Sequence, residues 1–251
     1  MTPAIVELYS GQPDRTRKTA LVTGGARRIG REIALTLARS GMDVAITFRE
    51  SEAAAEGVVR EIESFGVRSA AVRMDVRSEA SVRESVAAAV GILGGLDLLV
   101  NNAAVFESAP LGEITLEQWD RVFESNTRGP FLVAREALPH LKAARGRIVN
   151  LGSLGADHVW PLHGHYCASK AALQMLSQVM AKSFAPEVSV NCVAPGYIEM
   201  EPLEAADRFR ARTPMGRNGT PEDVAVAVLF FATGPHFITG QTLAVDGGMG
   251  L

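Results

Sequence analysis

The chain has 251 residues, of which 47% are hydrophobic and 21% charged, so it can bury a substantial core and reads as globular. Its formal net charge of −3 provides no general attraction for nucleic acid or for an anionic membrane surface, and neither is expected as a partner. The longest uninterrupted apolar run, residues 224–232, is far too short to span a bilayer.

Residues 1–17 precede the first regular pattern and are interpreted as an extension of unrevealed role, followed by one domain over residues 18–251. In that domain, short aliphatic runs alternate with longer amphipathic stretches. The short runs predict strands at residues 19–23, 43–48, 69–74, 97–101, 147–151, 188–194 and 242–245. The longer stretches predict helices at residues 29–40, 51–65, 79–93, 116–125, 129–144, 164–184 and 221–232. This alternation predicts an α/β fold in which helices cover both faces of a parallel seven-stranded sheet.

A glycine-rich turn, Thr23–Gly30 with the sequence TGGARRIG, joins the first predicted strand to the first predicted helix. Glycine lets the backbone approach a pyrophosphate, and a helix N-terminus offers free N–H groups and the positive end of the helix dipole. The spacing is not that of the G-x-G-x-x-G fingerprint, so the argument depends on the position directly after the first strand. That position favours nucleotide binding over a plain loop.

The end of the second predicted strand indicates which dinucleotide binds. An NAD site has a carboxylate there to accept hydrogen bonds from the ribose 2′-OH, but residues 47–51 read TFRES. Arg49 can instead bind a 2′-phosphate bidentately, and Arg27 or Arg28 can add positive charge from the glycine turn. The alternative is that Arg49 pairs with Glu50 or with solvent. We predict NADP(H) rather than NAD(H).

Tyr166 and Lys170 are four residues apart in the predicted helix over residues 164–184, so they share one helix face. An ammonium group stabilises a nearby phenolate, which predicts that the pKa of Tyr166 falls from its usual value of about 10. A phenol of this kind can exchange a proton near neutral pH. Ser153 lies 13 residues earlier, where its hydroxyl can hold a carbonyl or alcohol beside Tyr166. The alternative is an unrelated Tyr-x-x-x-Lys pair on a surface helix.

These motifs, taken in their order along the chain, resemble those of the short-chain dehydrogenase/reductase family over residues 19–248. The glycine turn resembles the family's cofactor turn, residues 101–104 (NNAA) its Asn-Asn-Ala-Gly strand end, and Tyr166-x-x-x-Lys170 its signature. Further matching segments lie at residues 195–196, 217–222, 239–241 and 246–248. The resemblance implies a single-domain, Rossmann-type, doubly wound fold.

The resemblance also implies roles for individual residues. Tyr166 is expected to be the general acid in reduction and the general base in oxidation. Lys170 is expected to bind the nicotinamide ribose hydroxyls and to lower the pKa of the tyrosine. Ser153 corresponds to the serine that holds the substrate oxygen, and Asn126 to the asparagine that bends a helix and binds a proton-relay water. Asp75 corresponds to the acid that holds the adenine amino group.

The residue arguments and the resemblance together yield two sets of site candidates. The cofactor candidates are Gly24, Arg27, Arg28, Ile29, Gly30, Arg49, Ser51, Asp75, Val76, Asn102, Ala103, Ala104, Tyr166, Lys170, Pro195, Gly196 and Ile198. The substrate candidates are Phe106, Ser153, Trp160 and Tyr197. Aromatic rings can wall an apolar substrate site, with core packing as the alternative. Histidines at 158, 163 and 165 lack a second ligand cluster, so no metal is expected.

Three positions depart from the family pattern. Arg28 replaces the usual middle glycine of the cofactor turn, similar to pteridine reductases and some acyl-carrier-protein reductases. Ala104 replaces a glycine, which narrows the cofactor trough by one methyl group. Met200 stands where many members have a threonine that touches the nicotinamide carboxamide. Residues 199–212 are also short for a substrate-covering loop, which suggests an open or partner-completed pocket.

We therefore expect an NADP(H)-dependent enzyme acting on a small-molecule carbonyl or alcohol, nearest to the 3-oxoacyl-acyl-carrier-protein reductases. The alternatives are a pteridine, sugar or other small-carbonyl reductase, and a redox sensor that binds NADP(H) without turnover.

The family often forms tetramers through its long helices and C-terminal strand, so we expect a homotetramer, with a dimer as the alternative. The two cysteines suggest no disulfide framework, and we expect a cytoplasmic protein.

Overall fold

The structure is a computed structural model that describes residues 5–7, 17–200 and 206–251, the first of these segments by its backbone alone. Residues 1–4 and 8–16 of the proposed N-terminal extension, and residues 201–205 of the short segment before residue 212, lie outside the described residues.

The described residues form eight strands and eight α-helices. The strands are β1 (Ile5–Glu7), β2 (Thr19–Val22), β3 (Asp43–Phe48), β4 (Ser69–Arg73), β5 (Leu98–Asn101), β6 (Arg147–Leu151), β7 (Ser189–Pro195) and β8 (Thr242–Val245). The helices are α1 (Arg28–Arg39), α2 (Glu52–Glu63), α3 (Glu79–Leu93), α4 (Leu116–Phe123), α5 (Gly129–Ala144), α6 (Gly164–Phe184), α7 (Ala206–Arg212) and α8 (Pro221–Thr233). Short 3₁₀ turns occur at Leu111–Glu113 and Leu154–Ala156.

All strands belong to one sheet with the order β1-β4-β3-β2-β5-β6-β7-β8. Strands β2 to β8 are mutually parallel, which confirms the predicted seven-stranded parallel sheet. The additional strand, β1, forms one edge of the sheet and pairs antiparallel with β4, with Ile5 opposite Val72. The sequence did not indicate β1, because three residues carry too little periodicity to identify a strand.

Two hydrophobic clusters lie on opposite faces of the sheet. Val22 of β2 belongs to the cluster that includes residues from α1, α2 and α8. The adjacent residue, Leu21, belongs to the cluster that includes residues from α3, α5 and α6. Because successive side chains of a strand point to opposite faces, this division confirms helices on both faces of one domain. Among the described helices, none is both long and apolar enough to cross a membrane.

The stretch between α4 and α5 differs from the prediction. Helix α4 ends at Phe123, and a π-helical turn, Glu124–Arg128, follows where the sequence pattern had continued the helix to Ser125. A π-turn inserts a residue into the helical repeat and thereby redirects side chains, often at functional sites. Helix α7 was also not predicted, because seven mostly charged residues show little amphipathic period.

Candidate active site

A groove of about 610 Å³ opens at the carboxyl ends of β2, β3, β4 and β5. This is the edge at which open parallel sheets bind ligands. The cofactor candidates that line it are Gly24, Arg27, Arg28, Ile29, Gly30, Arg49, Ser51, Asp75, Val76, Asn102, Ala103 and Ala104. Thus sequence positions spread over about 80 residues converge on one cavity. Met200 also lines this groove.

Two glycines leave the backbone of the turn without side chains where it lines the groove. Gly24 has φ +65°, which favours glycine. A Cβ on Gly30 would lie 2.4 Å from Nδ2 of Asn102 and 2.4 Å from the Gly24 carbonyl oxygen. Asn102 Nδ2 donates hydrogen bonds to the carbonyl oxygens of Thr23 (2.8 Å) and Gly24 (3.1 Å). The turn is therefore tied to the end of β5, and a cradle without side chains suits the close approach of a dinucleotide pyrophosphate.

Two arginines of the turn expose their guanidinium groups at the groove. Arg28, the first residue of α1, has φ +54°, a conformation that L-residues with side chains rarely adopt. Arg27 precedes it as the extended N-cap residue. Within the part of the chain that the structure describes, neither forms a salt bridge. Both are therefore available to an anionic ligand, and the strain at Arg28 is of the kind found at ligand sites.

Other charged groups of the groove pair with each other. Arg49 Nε donates to Glu50 Oε1 at 2.9 Å, so the alternative considered for Arg49 is present in this structure. Arg77 donates from Nε to Asp75 Oδ1 (2.9 Å) and from Nη2 to Asp75 Oδ2 (2.6 Å). These hydrogen bonds lower the pKa of Asp75, which stays ionised. Arg77 lines the groove but was not predicted; its position two residues after Asp75 was the available signal.

Tyr166 and Lys170 lie on the same face of the first two turns of α6. Lys170 Nζ is 5.8 Å from the centroid of the Tyr166 ring. The ammonium group is buried and donates to the Leu151 carbonyl oxygen at the end of β6, at 2.7 Å. Burial lowers the pKa of Lys170 to about 8, because a charged amine loses its hydration there.

The predicted direction of the Tyr166 pKa shift is wrong in this structure. Burial raises the pKa of Tyr166, and the neighbouring Ser153 side chain opposes this effect without overcoming it. The dominant influence is desolvation, which sequence spacing does not report.

Ser153 and Asn126 belong to two irregular turns that contact α6: Ser153 immediately precedes a 3₁₀ turn, and Asn126 lies within the π-helical turn. Ser153 is buried, precedes the 3₁₀ turn Leu154–Ala156, and accepts a hydrogen bond from the Gly155 N–H at 3.1 Å. Asn126 is fully buried in the π-turn. Its Oδ1 accepts from the Val105 N–H (2.8 Å), and its Nδ2 donates to the Val105 carbonyl oxygen (2.9 Å) and to Ser169 Oγ (3.1 Å). Asn126 thus connects the segment after β5 to α6.

The end of β7 carries the remaining cofactor candidates: Pro195 is its last residue, followed by Gly196 and Ile198. The Gly196 N–H donates to the Val245 carbonyl oxygen at 3.0 Å, and a Cβ on Gly196 would lie 2.7 Å from Cβ of Asp246. Ile198 forms an isolated parallel bridge with Gly219. These residues, like Tyr166 and Lys170, lie outside the lining of the 610 Å³ groove.

The structure brings two of the three aromatic substrate candidates to Tyr166. The Phe106 ring meets the Tyr166 ring edge to face, with 4.7 Å between centroids, and Trp160 lies parallel to Tyr166 at 6.3 Å. Tyr197 instead stacks on Phe209 of α7 at 4.0 Å. His163, which was not among the substrate candidates, stacks on Phe106 at 4.5 Å.

The three histidines near Ser153 have separate environments. The ring nitrogens of His158 lie 3.2 and 3.1 Å from the carbonyl oxygens of Leu154 and Gly250. His163 Nδ1 lies 3.0 Å from the Glu107 carbonyl oxygen. His165 is fully buried, and burial lowers its pKa. Across residues 5–7, 17–200 and 206–251, no three His, Cys, Asp or Glu side chains form a cluster that could hold a metal ion.

Known proteins resemble this chain over nearly its whole length. A family described as "Enoyl-(Acyl carrier protein) reductase" matches residues 24–250. The 3-oxoacyl-[acyl-carrier-protein] reductase of Staphylococcus epidermidis is 37% identical, covering 92% of this chain and 98% of its own. The crystal structure of a Sinorhizobium meliloti dehydrogenase/reductase is 40% identical with a TM-score of 0.89, covering 92% and 94%. A Burkholderia cenocepacia short chain dehydrogenase, crystallised in complex with NADP, is 38% identical with a TM-score of 0.89, covering 95% and 100%.

Proposed function

The chain belongs to the short-chain dehydrogenase/reductase family of oxidoreductases, and from this premise we propose that it is an NADP(H)-dependent enzyme interconverting a carbonyl compound and a secondary alcohol. One observation carries the proposal. Helix α6 places Tyr166 close enough to Ser153 for that side chain to lower the pKa of the phenol, and it presents the Lys170 ammonium group 5.8 Å from the centroid of the same ring. A phenol, a hydroxyl and a buried amine together provide proton transfer at one substrate oxygen.

When bound, the nicotinamide supplies or accepts the hydride. Tyr166 donates its phenolic proton to the substrate oxygen in reduction and takes a proton back in oxidation. The raised pKa of Tyr166 keeps the phenol protonated at neutral pH, which suits the reductive direction. Ser153 holds the same oxygen by a hydrogen bond, and Lys170 binds the nicotinamide ribose. Asn126 positions the segment after β5 against α6.

The groove suits NADP(H) because it exposes positive charge where a 2′-phosphate has to be held. Arg27 and Arg28 line it, and Arg49 adds a third guanidinium at the end of β3. The NADP complex of the related Burkholderia cenocepacia structure supports the same assignment. Fluorescence titration with NADPH and NADH tests it, and comparable dissociation constants for the two would count decisively against it.

The reaction is nearest to that of the 3-oxoacyl-acyl-carrier-protein reductases, as the similarity to the Staphylococcus epidermidis enzyme supports. Pteridine, sugar or other small-carbonyl reduction is the alternative within the same reaction class. A sensor that binds NADP(H) without turnover is the alternative outside it. NADPH consumption across a panel of carbonyl compounds separates these functions, because a sensor binds the dinucleotide and consumes none.

The proposal extends to location and assembly. Both cysteines are free thiols, which suits the reducing cytoplasm.

Apolar side chains are exposed on two separate surfaces, one formed by α4, α5 and α6 and one by β8 and α8. Two separate self-complementary surfaces are what a homotetramer requires.

Replacing Tyr166 tests the proposed chemistry directly. Tyr166→Phe removes the proton donor while keeping the ring, so kcat is expected to fall by about 10²–10⁴-fold. The dissociation constant for NADPH is expected to stay within a few-fold. Tyr9→Phe, which removes the same group within the N-terminal extension, is the matched control. Turnover of Tyr166→Phe within a few-fold of wild type would refute the role of the tyrosine.

A further inference from the structure

Two aromatic side chains from different segments contact the Tyr166 ring, and a third packs against both of them. Phe106 follows β5 and meets Tyr166 edge to face, with an angle of 89° between the planes. Trp160 follows β6 and lies within 6° of parallel to Tyr166. His163 joins them, stacked on Phe106 and edge to face with Trp160. We refer to Phe106, Trp160 and His163 as the aromatic cluster.

The backbone around the aromatic cluster holds its rings in place. A Cβ on Gly155 would lie 3.0 Å from Cε3 and Cζ3 of Trp160, so the indole packs directly against the turn that follows Ser153. His163 Nδ1 lies 3.0 Å from the Glu107 carbonyl oxygen, which fixes the plane on which Phe106 stacks. Phe106 is nevertheless 59% exposed. An aromatic ring that is oriented but still open to solvent is suited to receive another ring.

The acidic side chain next to the aromatic cluster is already paired. Both carboxylate oxygens of Glu107 accept hydrogen bonds from Arg121, at 2.7 Å from Nε and 2.8 Å from Nη2. Among the described residues, no lysine or arginine side chain lies over a ring of the cluster itself; Lys170 lies over the neighbouring Tyr166 ring, and its Nζ donates to the Leu151 carbonyl oxygen. The cluster thus offers π-faces without a charged partner for a ligand, which favours a neutral ligand.

We propose that the substrate is a neutral carbonyl compound with an aromatic ring close to the carbonyl group, bound by the aromatic cluster; this rests on the proposed function. Tyr166 holds the substrate oxygen, so the remainder of the molecule has to pass beside Phe106 or Trp160. Edge-to-face and offset parallel contacts favour an aromatic ring over a saturated ring of the same size. The proposal applies equally to free ketones and to 3-oxoacyl thioesters that carry a ring.

A matched pair of ketones tests the proposal. 4-Phenylbutan-2-one and 4-cyclohexylbutan-2-one share the carbonyl group, the spacer and the carbon count, and differ only in the ring. We expect kcat/KM with NADPH to favour the phenyl compound about 3- to 10-fold. The N-acetylcysteamine thioesters of 5-phenyl-3-oxopentanoate and 5-cyclohexyl-3-oxopentanoate are expected to show the same preference.

Three variants locate the preference in the aromatic cluster. Phe106→Leu and Trp160→Leu are expected to bring the phenyl-to-cyclohexyl ratio close to one, while Trp160→Phe retains it. Phe237→Leu, at a residue that is 99% exposed, is the matched control and should leave the ratio unchanged.

The outcomes separate this inference from the proposed function. Reduction of both ring types at equal rates, or a preference for cyclohexyl, overturns the inference and leaves the proposed function intact. A preference for phenyl that survives Phe106→Leu and Trp160→Leu also overturns it. No NADPH consumption with either ketone or either thioester overturns the inference, whereas the proposed function is overturned only if no compound of the carbonyl panel is reduced.

Discussion

Arg28 combines a strained backbone with an exposed positive charge. Its φ of +54° lies in the left-handed region, where a residue with a side chain is destabilised by about 1–2 kcal/mol. Glycine, the usual residue of this turn in the family, would relieve that strain. We infer that the guanidinium group is retained for binding the cofactor phosphate rather than for stability.

Arg28→Gly separates these two effects. Relief of strain is partly offset by the extra unfolded-state entropy of glycine, about 0.5–1 kcal/mol. The free energy of unfolding is therefore expected to stay level or rise by up to about 1.5 kcal/mol. Affinity for NADPH is expected to fall about tenfold or more, because a charge-assisted hydrogen bond is lost. Affinity for NADH should change little. Urea denaturation and fluorescence titration measure both quantities.

Arg28→Ala is the control, because it removes the guanidinium group but keeps a Cβ in the left-handed conformation. It should lose the same NADPH affinity without any gain in stability. Equal losses of affinity for NADPH and NADH in either variant would contradict the phosphate role.

Lys170 makes stability depend on pH. Its pKa is about 8 in the folded chain against a usual value of 10.5, so between these values the unfolded chain binds more protons. Stability from this group therefore rises with pH across that interval. Burial raises the pKa of Cys192 from 9.0 to about 11, which acts in the opposite direction above about pH 9. Between about pH 8 and 9, the pH dependence of the free energy of unfolding therefore reports Lys170 without the opposing contribution of Cys192.

We expect the free energy of unfolding to increase by on the order of 1 kcal/mol from pH 8 to pH 9. Lys170→Met is expected to remove this increase and to abolish turnover, because the buried charge is lost. Urea denaturation at the two pH values provides the measurement. An unchanged slope in Lys170→Met would assign the dependence to another group.

At the scale of elements, the π-turn Glu124–Arg128 decides how α6 meets the segment after β5. It directs Asn126 inward, where one side chain satisfies both backbone groups of Val105 and contacts Ser169. A regular helix through this stretch would rotate the side chain away. The position of the segment after β5 relative to α6 therefore depends on an irregular turn.

Asn126→Ala is expected to lower the free energy of unfolding by about 1–3 kcal/mol, because two part-buried backbone groups of Val105 lose their partner. kcat should fall as well, since Phe106 follows Val105 directly. Asn126→Asp keeps the acceptor for the Val105 N–H but sets a second oxygen against the Val105 carbonyl oxygen, so it is also expected to be less stable than wild type. Thermal denaturation and steady-state kinetics test this; equal stability of wild type and Asn126→Ala would exclude the bracing role.

At the scale of the whole molecule, two exposed apolar surfaces bear on the proposed tetramer. On the first, Met175 and Val179 of α6 are 60% and 51% exposed, next to exposed Trp119 and Phe131 of α4 and α5. On the second, Leu243 is 40% exposed on β8, the edge strand of the sheet. Exposed apolar side chains on an edge strand and on a helix face are typical of contacts between subunits.

Sedimentation velocity is expected to show a tetramer for the wild type and dimers for Val179→Glu or Leu243→Glu, because each variant places a charge on one surface only. Arg83→Glu, a change on the exposed part of α3, is the control for altered charge. A monomeric wild type would defeat the proposal.

The parts predicted from the sequence are those governed by local periodicity. Helices α3, α5 and α6 have the predicted limits; each is at least 15 residues long, and long segments are the elements that a sequence indicates best. Strand–helix alternation likewise sufficed for the parallel sheet. Strand β1, helix α7 and the π-turn were not predicted, because each is short and depends on neighbours distant in sequence.

The sequence by itself determined the fold class, the glycine turn after the first strand and the shared helix face of Tyr166 and Lys170, since each follows from spacing along the chain. Only the tertiary structure decided which neighbours these groups meet. It directed the Lys170 ammonium to the Leu151 carbonyl oxygen, raised the pKa of Tyr166 through burial and assembled the aromatic cluster. Desolvation and ring contacts depend on atoms brought together by folding, which no local pattern specifies.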